Sequence, residues 1–310
     1  MPQKMHADEL DIDEALVRRM VAAQFPQWAG LPVELTDSAG TSNAMYRLGA
    51  DLVARIPRIP GAAEDIAREH TWLRRLAPEL PFAVPVPVGL GEPVDGCPWQ
   101  WSVLRWLVGA NPVAGCVPQP ELLAADLASF VTAMHRVAPS GGPASYRSET
   151  LAARDGAIRR AVAALAGVVD STAVTALWEA ALGAAEHPGE PVWIHADLQP
   201  GNLLVDGAGR LSAVIDFGCA GLGDPAVDLI AAWYVLPAAV REAFRMAVGA
   251  DHAEWERGRG WALSVALMEL DYYRETNPRM SGTARYVIGE LLADHAGRDG
   301  DSVSWKLPGR

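Results

Sequence analysis

The stretch Ile194-His195-Ala196-Asp197-Leu198-Gln199-Pro200-Gly201-Asn202, followed fourteen residues after Asn202 by Asp216-Phe217-Gly218, decides how this chain folds. Leu203-Leu204-Val205 and Leu211-Ser212-Ala213-Val214-Ile215 read as two short strands, and Asp206-Gly207-Ala208-Gly209 between them is a strong turn signal. A hairpin sets the start of its first strand beside the end of its second. Asn202 and Asp216 occupy those two places and are predicted to lie side by side, with Asp197 in the loop just upstream.

These residue types suit one kind of chemistry. Magnesium is a hard cation held by one or two protein oxygens, with substrate phosphates and waters completing its shell. An amide oxygen from Asn202 and a carboxylate from Asp216 fit that requirement, and Asp197 is placed to accept the proton of an attacking hydroxyl. Transfer of a γ-phosphoryl group asks little covalent work of a protein, so positioning and charge neutralisation carry most of the catalysis. The order of residues matches the kinase signature H-R-D-L-x-x-x-N plus D-F-G, with Ala196 in place of the arginine. D-F-G alone arises easily by chance. The full set, in order and around a hairpin, does not.

Working outward, the 310 residues suffice for one large domain or two lobes with substantial cores. A hydrophobic content of 50% and a charged content of 21% are those of ordinary globular proteins. The acidic, polar start (residues 1–14) argues against a secretory signal. No run of about twenty uncharged apolar residues predicts a membrane span. The three cysteines, Cys97, Cys116 and Cys219, lack metal-ligand spacing and are too few for a disulfide framework, so the expected compartment is the cytoplasm. A net charge of −12 disfavours nucleic acid as a partner. It favours a cationic small substrate through field focusing, or serves solubility alone. The lysines, Lys4 and Lys306, stand at the chain ends. Any buried cation that grips nucleotide phosphates must therefore be an arginine.

Residues 11–25 read as an amphipathic helix with acidic residues in its first turn. Strand-like runs follow at 33–36, 44–48 and 52–56. Between the first two lies Ser38-Ala39-Gly40-Thr41-Ser42-Asn43, a small-residue turn; Ser38, Gly40, Thr41 and Ser42 are its candidates for covering phosphates with backbone N–H groups. Arg55, in Val53-Ala54-Arg55-Ile56-Pro57, stands where the kinase pattern V-A-I-K has its lysine. A helix predicted over 62–76 carries the apolar stripe Ile66, Leu73, Leu76, and Glu69 falls on the same face. A carboxylate on a buried stripe requires a cation, and Arg55 is the candidate. The alternative is that Glu69 bends out to pair with Arg74 or Arg75. After a Pro- and Gly-rich stretch (81–98), residues 99–104 read as a strand. Residues 105–109 then form a connector whose backbone at Arg105 and Leu107 is the candidate purine-binding hinge. Helices are expected at 121–137, 149–169, 172–185 and in several segments after Asp228. The division is an N-lobe at 1–104, a hinge at 105–109 and a C-lobe at 110–310, an α+β architecture.

On these residues the chain resembles the aminoglycoside phosphotransferase family, small-molecule relatives of the protein kinases. His195 to Val205 looks like that family's catalytic loop, and Ile215-Asp216-Phe217-Gly218 and Gly223-Asp224-Pro225-Ala226-Val227-Asp228-Leu229 look like its metal and post-metal motifs. Leu52-Val53-Ala54-Arg55-Ile56-Pro57-Arg58 is similar to the macrolide phosphotransferase branch. The resemblance implies a bilobal protein-kinase-like fold. It implies Asp197 as catalytic base, Asn202 and Asp216 as Mg2+ ligands, and Arg55 with Glu69 as organisers of the phosphates of ATP or GTP. It also implies His195 and Asp228 as structural supports; His135, at a helix end, reads as structural. Only four residues separate Gly218 from Gly223-Asp224-Pro225, and no A-P-E follows, so an activation segment has no room. The expected activity is an unregulated kinase acting on a hydroxyl of an antibiotic. The alternatives are a metabolic kinase for an amino alcohol, sugar or homoserine-like substrate, and a pseudokinase binding module. Glu269, Asp271, Tyr272 and Tyr273, in a helix ended by Asn277-Pro278, are candidates for the acceptor site. They read equally as a solvated surface over a Tyr-containing core.

Overall fold

The computed structural model describes residues 10–36 and 42–302, with side chains described to residue 296. Ser38, Gly40 and Thr41 lie outside the described residues. In chain order the elements begin with α1 (Glu14–Gln24), β1 (Val33–Leu35), β2 (Asn43–Leu48), β3 (Leu52–Pro57), α2 (Pro60–Leu76), β4 (Pro87–Gly91) and β5 (Trp101–Arg105). Then come α3 (Pro120–Arg136), α4 (Leu151–Ala164), α5 (Ser171–Leu182), β6 (Val192–Ile194), β7 (Leu203–Val205), β8 (Leu211–Val214) and β9 (Gly221–Gly223). The chain continues through a 3-10 turn (Pro225–Ile230) and ends in α6 (Ala231–Tyr234), α7 (Ala238–Val248), α8 (His252–Tyr273) and α9 (Pro278–Ser302). An N-terminal antiparallel sheet with helices precedes a larger helical region, the α+β arrangement expected.

Two compact units emerge: residues 1–111 with 201–220, and residues 112–200 with 221–310. The hairpin that follows Asn202 groups with the first unit, where Val205 exchanges backbone hydrogen bonds with Ala110 in both directions at 2.9 Å. Capping explains where several helices begin. The Asp13 carboxylate accepts from Leu16 N at 2.7 Å and starts α1 three residues later than the periodicity implied. Thr150 caps α4, which stops at Ala164 instead of running to 169, because residues 165–169 curl into a turn closed by an Ala166–Val169 bridge.

In the first unit the sheet runs β1-β2-β3-β5-β4, with every neighbouring pair antiparallel. One face carries the core built from Leu16, Val17, Met20 and Val21 of α1 with Tyr46, Leu48, Ala54, Ile56, Trp101 and Val103 of the strands. Every residue of β3 is buried, Arg55 included, so this strand holds a cation inside the sheet layer. Arg105 closes β5, paired with Leu52, and so belongs to the strand rather than to the connector after it. In the second unit β6 and β9 form a two-stranded ribbon, and the helices bury Trp178, Trp193, Trp233 and Trp261. No helix among the described residues is long and apolar enough to cross a membrane.

Candidate active site

In the first unit the site grows from β3, α2 and the β7–β8 hairpin. Asn202 and Asp216 stand at the two ends of that hairpin, where Ile215 N donates to Asn202 O at 2.9 Å. Arg55 on β3 points its Nη1 at both oxygens of Glu69, at 2.7 and 2.6 Å, and its Nη2 at Asp216 Oδ1 at 3.0 Å. With its amide oriented to satisfy hydrogen bonding, Asn43 also accepts from Arg55 Nε and Nη2, each at 3.2 Å. The stripe on α2 buries Ala62, Ile66, Glu69, Leu73 and Leu76, so Glu69 turns inward to Arg55 and not outward to Arg74 or Arg75.

The electrostatics follow from this packing. Burial opposes charge on Arg55, but Glu69 and Asp216 outweigh it and hold the guanidinium protonated above its ordinary value. Burial pushes the Glu69 carboxyl upward against the pull of Arg55. Asp65, one turn before Glu69, is also pushed up by burial, with Arg55 opposing and Asp216 adding to the rise. A side chain at Gly218 would bring its Cβ within 2.9 Å of Asp65 Oδ2, so glycine lets α2 close on the D-F-G backbone. Arg68 Nη1 donates to the Gly218 carbonyl there at 3.2 Å.

The donor set fits magnesium. Asp216 keeps 49% of its side chain exposed while Arg55 grips one oxygen, and Asn202 stands at the adjoining end of the hairpin. Two hard oxygens from the protein are what this cation takes when phosphates and water supply the rest.

In the second unit Asp228 fixes the loop that carries Asp197. Its fully buried carboxylate accepts from His195 N at 3.1 Å and Ala196 N at 2.7 Å, and meets His135 Nε2 at 3.1 Å. Asp197 N donates to His195 Nδ1 at 3.2 Å, which leaves Nε2 to carry the proton in a neutral ring. Ala196 is left-handed at φ 67°, as is Asp216 at φ 63° in the first unit. That conformation costs a residue with a Cβ about 1–2 kcal/mol, and charged hydrogen bonds of the kind Asp228 makes are strong enough to hold it.

Three further side chains surround Asp197. Arg147 donates through Nη1 to the Ala196 carbonyl and places Nη2 3.1 Å from Asp197 Oδ1. Gln199 Nε2 donates to Asp197 Oδ1 at 3.1 Å and to Glu269 Oε1 at 2.7 Å. Tyr234 donates its hydroxyl to Glu269 Oε2 at 2.9 Å. Of the acceptor-site candidates, Glu269 is thus turned into this network. Tyr272 is 56% exposed, Asp271 and Tyr273 are half-buried, and the two tyrosine rings meet edge-on at 4.7 Å. Among the nucleotide candidates, Ser42 accepts from Arg58 N at 2.9 Å through its carbonyl, Arg105 is exposed and Leu107 is half-buried.

Sequence reading missed Arg147, Gln199, Tyr234 and Asp65. Gln199 sat inside the quoted motif and Asp65 one turn from Glu69, so both had a positional signal. Arg147 lies in a loop and Tyr234 in the apolar run Trp233-Tyr234-Val235, where nothing local marks them.

A kinase-like sheet lobe with a buried arginine–glutamate pair, and a helical region holding a His-x-Asp loop by a buried aspartate, define a phosphotransferase of the protein-kinase-like fold. The chain belongs to the phosphotransferase enzyme family, whose model matches residues 35–261. Its fold is similar to that of aminoglycoside 2'-phosphotransferase-IIIa in complex with GDP (TM-score 0.70, 18% identity, 92% of this chain and 100% of that one). It is also similar to the macrolide 2'-phosphotransferase MphH from Brachybacterium faecium (TM-score 0.59, 24% identity, 88% and 97%). A third likeness is the streptomycin–ATP ternary complex of APH(2'')-IIa (TM-score 0.58, 15% identity, 92% and 97%). A sequence search of curated proteins gives no match.

Proposed function

We propose that this chain is an antibiotic O-phosphotransferase, moving the γ-phosphoryl group of ATP or GTP to a hydroxyl of a small natural product. The observation that carries the reading is Arg55 bridging Glu69 and Asp216, because a chain that had lost phosphoryl transfer would have no use for a buried cation aimed at a metal-binding carboxylate. Similar folds have been solved with an aminoglycoside and ATP bound and with GDP bound, which supports this class of acceptor and of donor.

In this reading Asp197 accepts the acceptor's hydroxyl proton while that oxygen bonds to the γ-phosphorus. The bond from phosphorus to the β–γ bridging oxygen breaks, and the nucleoside diphosphate leaves. Magnesium, when bound by Asn202 and Asp216, supplies charge neutralisation on the phosphates. Arg55 fixes the Asp216 carboxylate, and Asp228 fixes the backbone that presents Asp197. Only Cys219 and Ala220 lie between Gly218 and β9, which supports activity without an activation segment. The test is nucleotide turnover by the purified protein with ATP and with GTP, against a panel of aminoglycosides, macrolides, amino alcohols and sugars. The phosphorylated product is identified by mass spectrometry. Stimulation by an antibiotic is expected; stimulation by metabolites alone would replace the resistance reading with a metabolic kinase.

A further inference from the structure

The side chains around Asp197 form an unbroken polar chain within the second unit, from Tyr234 through Glu269 and Gln199 to Asp197 and Arg147. A side-chain amide nitrogen carries two hydrogens, and both hydrogens of Gln199 are spent on carboxylates. Donors and acceptors alternate without a mismatch: phenol, amide and guanidinium donate, and the two carboxylates accept. Gln199 travels with the loop that bears the base. Glu269 and Tyr234 belong to α8 and α6, which are packed into the core. The chain therefore ties a loop carboxylate to two helices.

We propose that Gln199 is the positioning residue of Asp197, and that Glu269 and Tyr234 act by setting the Gln199 amide instead of binding the acceptor. Both Glu269 oxygens are engaged, one by Gln199 and one by Tyr234, so the carboxylate is committed to the loop. A general base works only when its oxygen meets the hydroxyl within hydrogen-bond reach, and a misplacement of about 1 Å costs roughly 10²-fold in rate. The inference rests on Asp197 being the base.

The experiment compares Gln199→Leu, Gln199→Glu, Glu269→Leu, Glu269→Gln and the double variant Gln199→Leu/Glu269→Leu. Turnover is measured with ATP and GTP, using water as acceptor and any panel compound the unmodified protein phosphorylates. Gln199→Glu keeps the size of the side chain but removes both donors, whereas Glu269→Gln keeps an acceptor for Gln199. Gln199→Leu, Gln199→Glu and Glu269→Leu should each lower kcat about 10- to 100-fold, with KM for the nucleotide within about twofold. Glu269→Gln should retain most of the rate, and the double variant should be no worse than either of its singles. A wild-type rate in Gln199→Glu, or additive losses in the double variant, would overturn the proposal.

A second readout needs no turnover. The Asp197 carboxyl 13C resonance, assigned by its loss in Asp197→Asn, should move in Gln199→Leu and Glu269→Leu but stay put in Glu269→Gln. A resonance unmoved in Gln199→Leu sinks the positioning role by itself. A resonance that moves in a protein that turns over nothing would keep the positioning and sink the kinase reading.

Discussion

Arg55 does with one guanidinium what a lysine could not, since its fork reaches Glu69 and Asp216 from two different nitrogens. Removing it by Arg55→Ala leaves Glu69 buried at 2% side-chain exposure without a counter-ion. Breaking a buried pair in this way is expected to destabilise by about 3–5 kcal/mol, read as a lower midpoint in urea unfolding. Arg55→Lys should restore most of the stability while weakening nucleotide affinity, because a point ammonium cannot hold both carboxylates; equal losses in both variants would show that charge alone matters at this position. Asp197, as the base of the proposed reaction, makes the opposite case: it serves a step and not the fold. Asp197→Asn should lower kcat by about 10²- to 10⁴-fold, with nucleotide binding by calorimetry and the unfolding midpoint nearly unchanged. Turnover at the unmodified rate would remove Asp197 from the mechanism.

At the scale of elements, the sheet, α2 and the hairpin could be read from the sequence because each carries a local signature. Alternation marks β2, the i, i+3, i+4 stripe marks α2, and Asp206-Gly207-Ala208-Gly209 marks the turn. The helices after Asp228 could not be delimited, and α8 shows why. Every residue from Trp255 to Leu267 is buried, so the helix has no polar face and no period to find. Its packing also explains Gly258. A Cβ there would stand 2.7 Å from Leu229 Cβ and 3.1 Å from the Ala226 carbonyl, within the turn that carries Asp228. Gly258→Ala gains helix propensity of about 1 kcal/mol, yet the clash should win, with a net destabilisation of about 1–3 kcal/mol. The turn would shift with α8, so turnover should fall together with the urea midpoint. A variant as stable as its parent would show that the 225–230 turn yields without consequence.

Across the whole molecule, the motif residues could be read at sequence level because their spacing is set by one hairpin and one loop. The contacts that tune them could not, since Arg147 meets Asp197 directly, and Glu269 and Tyr234 act through Gln199, from segments far apart in sequence. That long-range packing has a measurable signature in the pH dependence of stability. Burial pushes the Glu269 carboxyl up from 4.5 to about 7; the hydrogen bond from Gln199 opposes the rise, Asp197 adds to it, and Tyr234 and Arg147 pull it back. A group whose pKa is higher in the folded than in the unfolded chain binds more protons when folded over the interval between the two values. Stability from this site is therefore fully present below about pH 4.5 and is lost as pH rises through about 7. Other carboxylates bias the total curve, so the informative quantity is the unfolding free energy of the protein minus that of Glu269→Gln, which keeps the shape but cannot titrate. Measured by urea unfolding from pH 5 to pH 8, this difference should fall by about 1–3 kcal/mol, most steeply between pH 5 and 7. A difference that stays flat would mean that Glu269 is ionised at an ordinary pKa. Glu269 would then accept from Tyr234 and Gln199 as a carboxylate throughout that range.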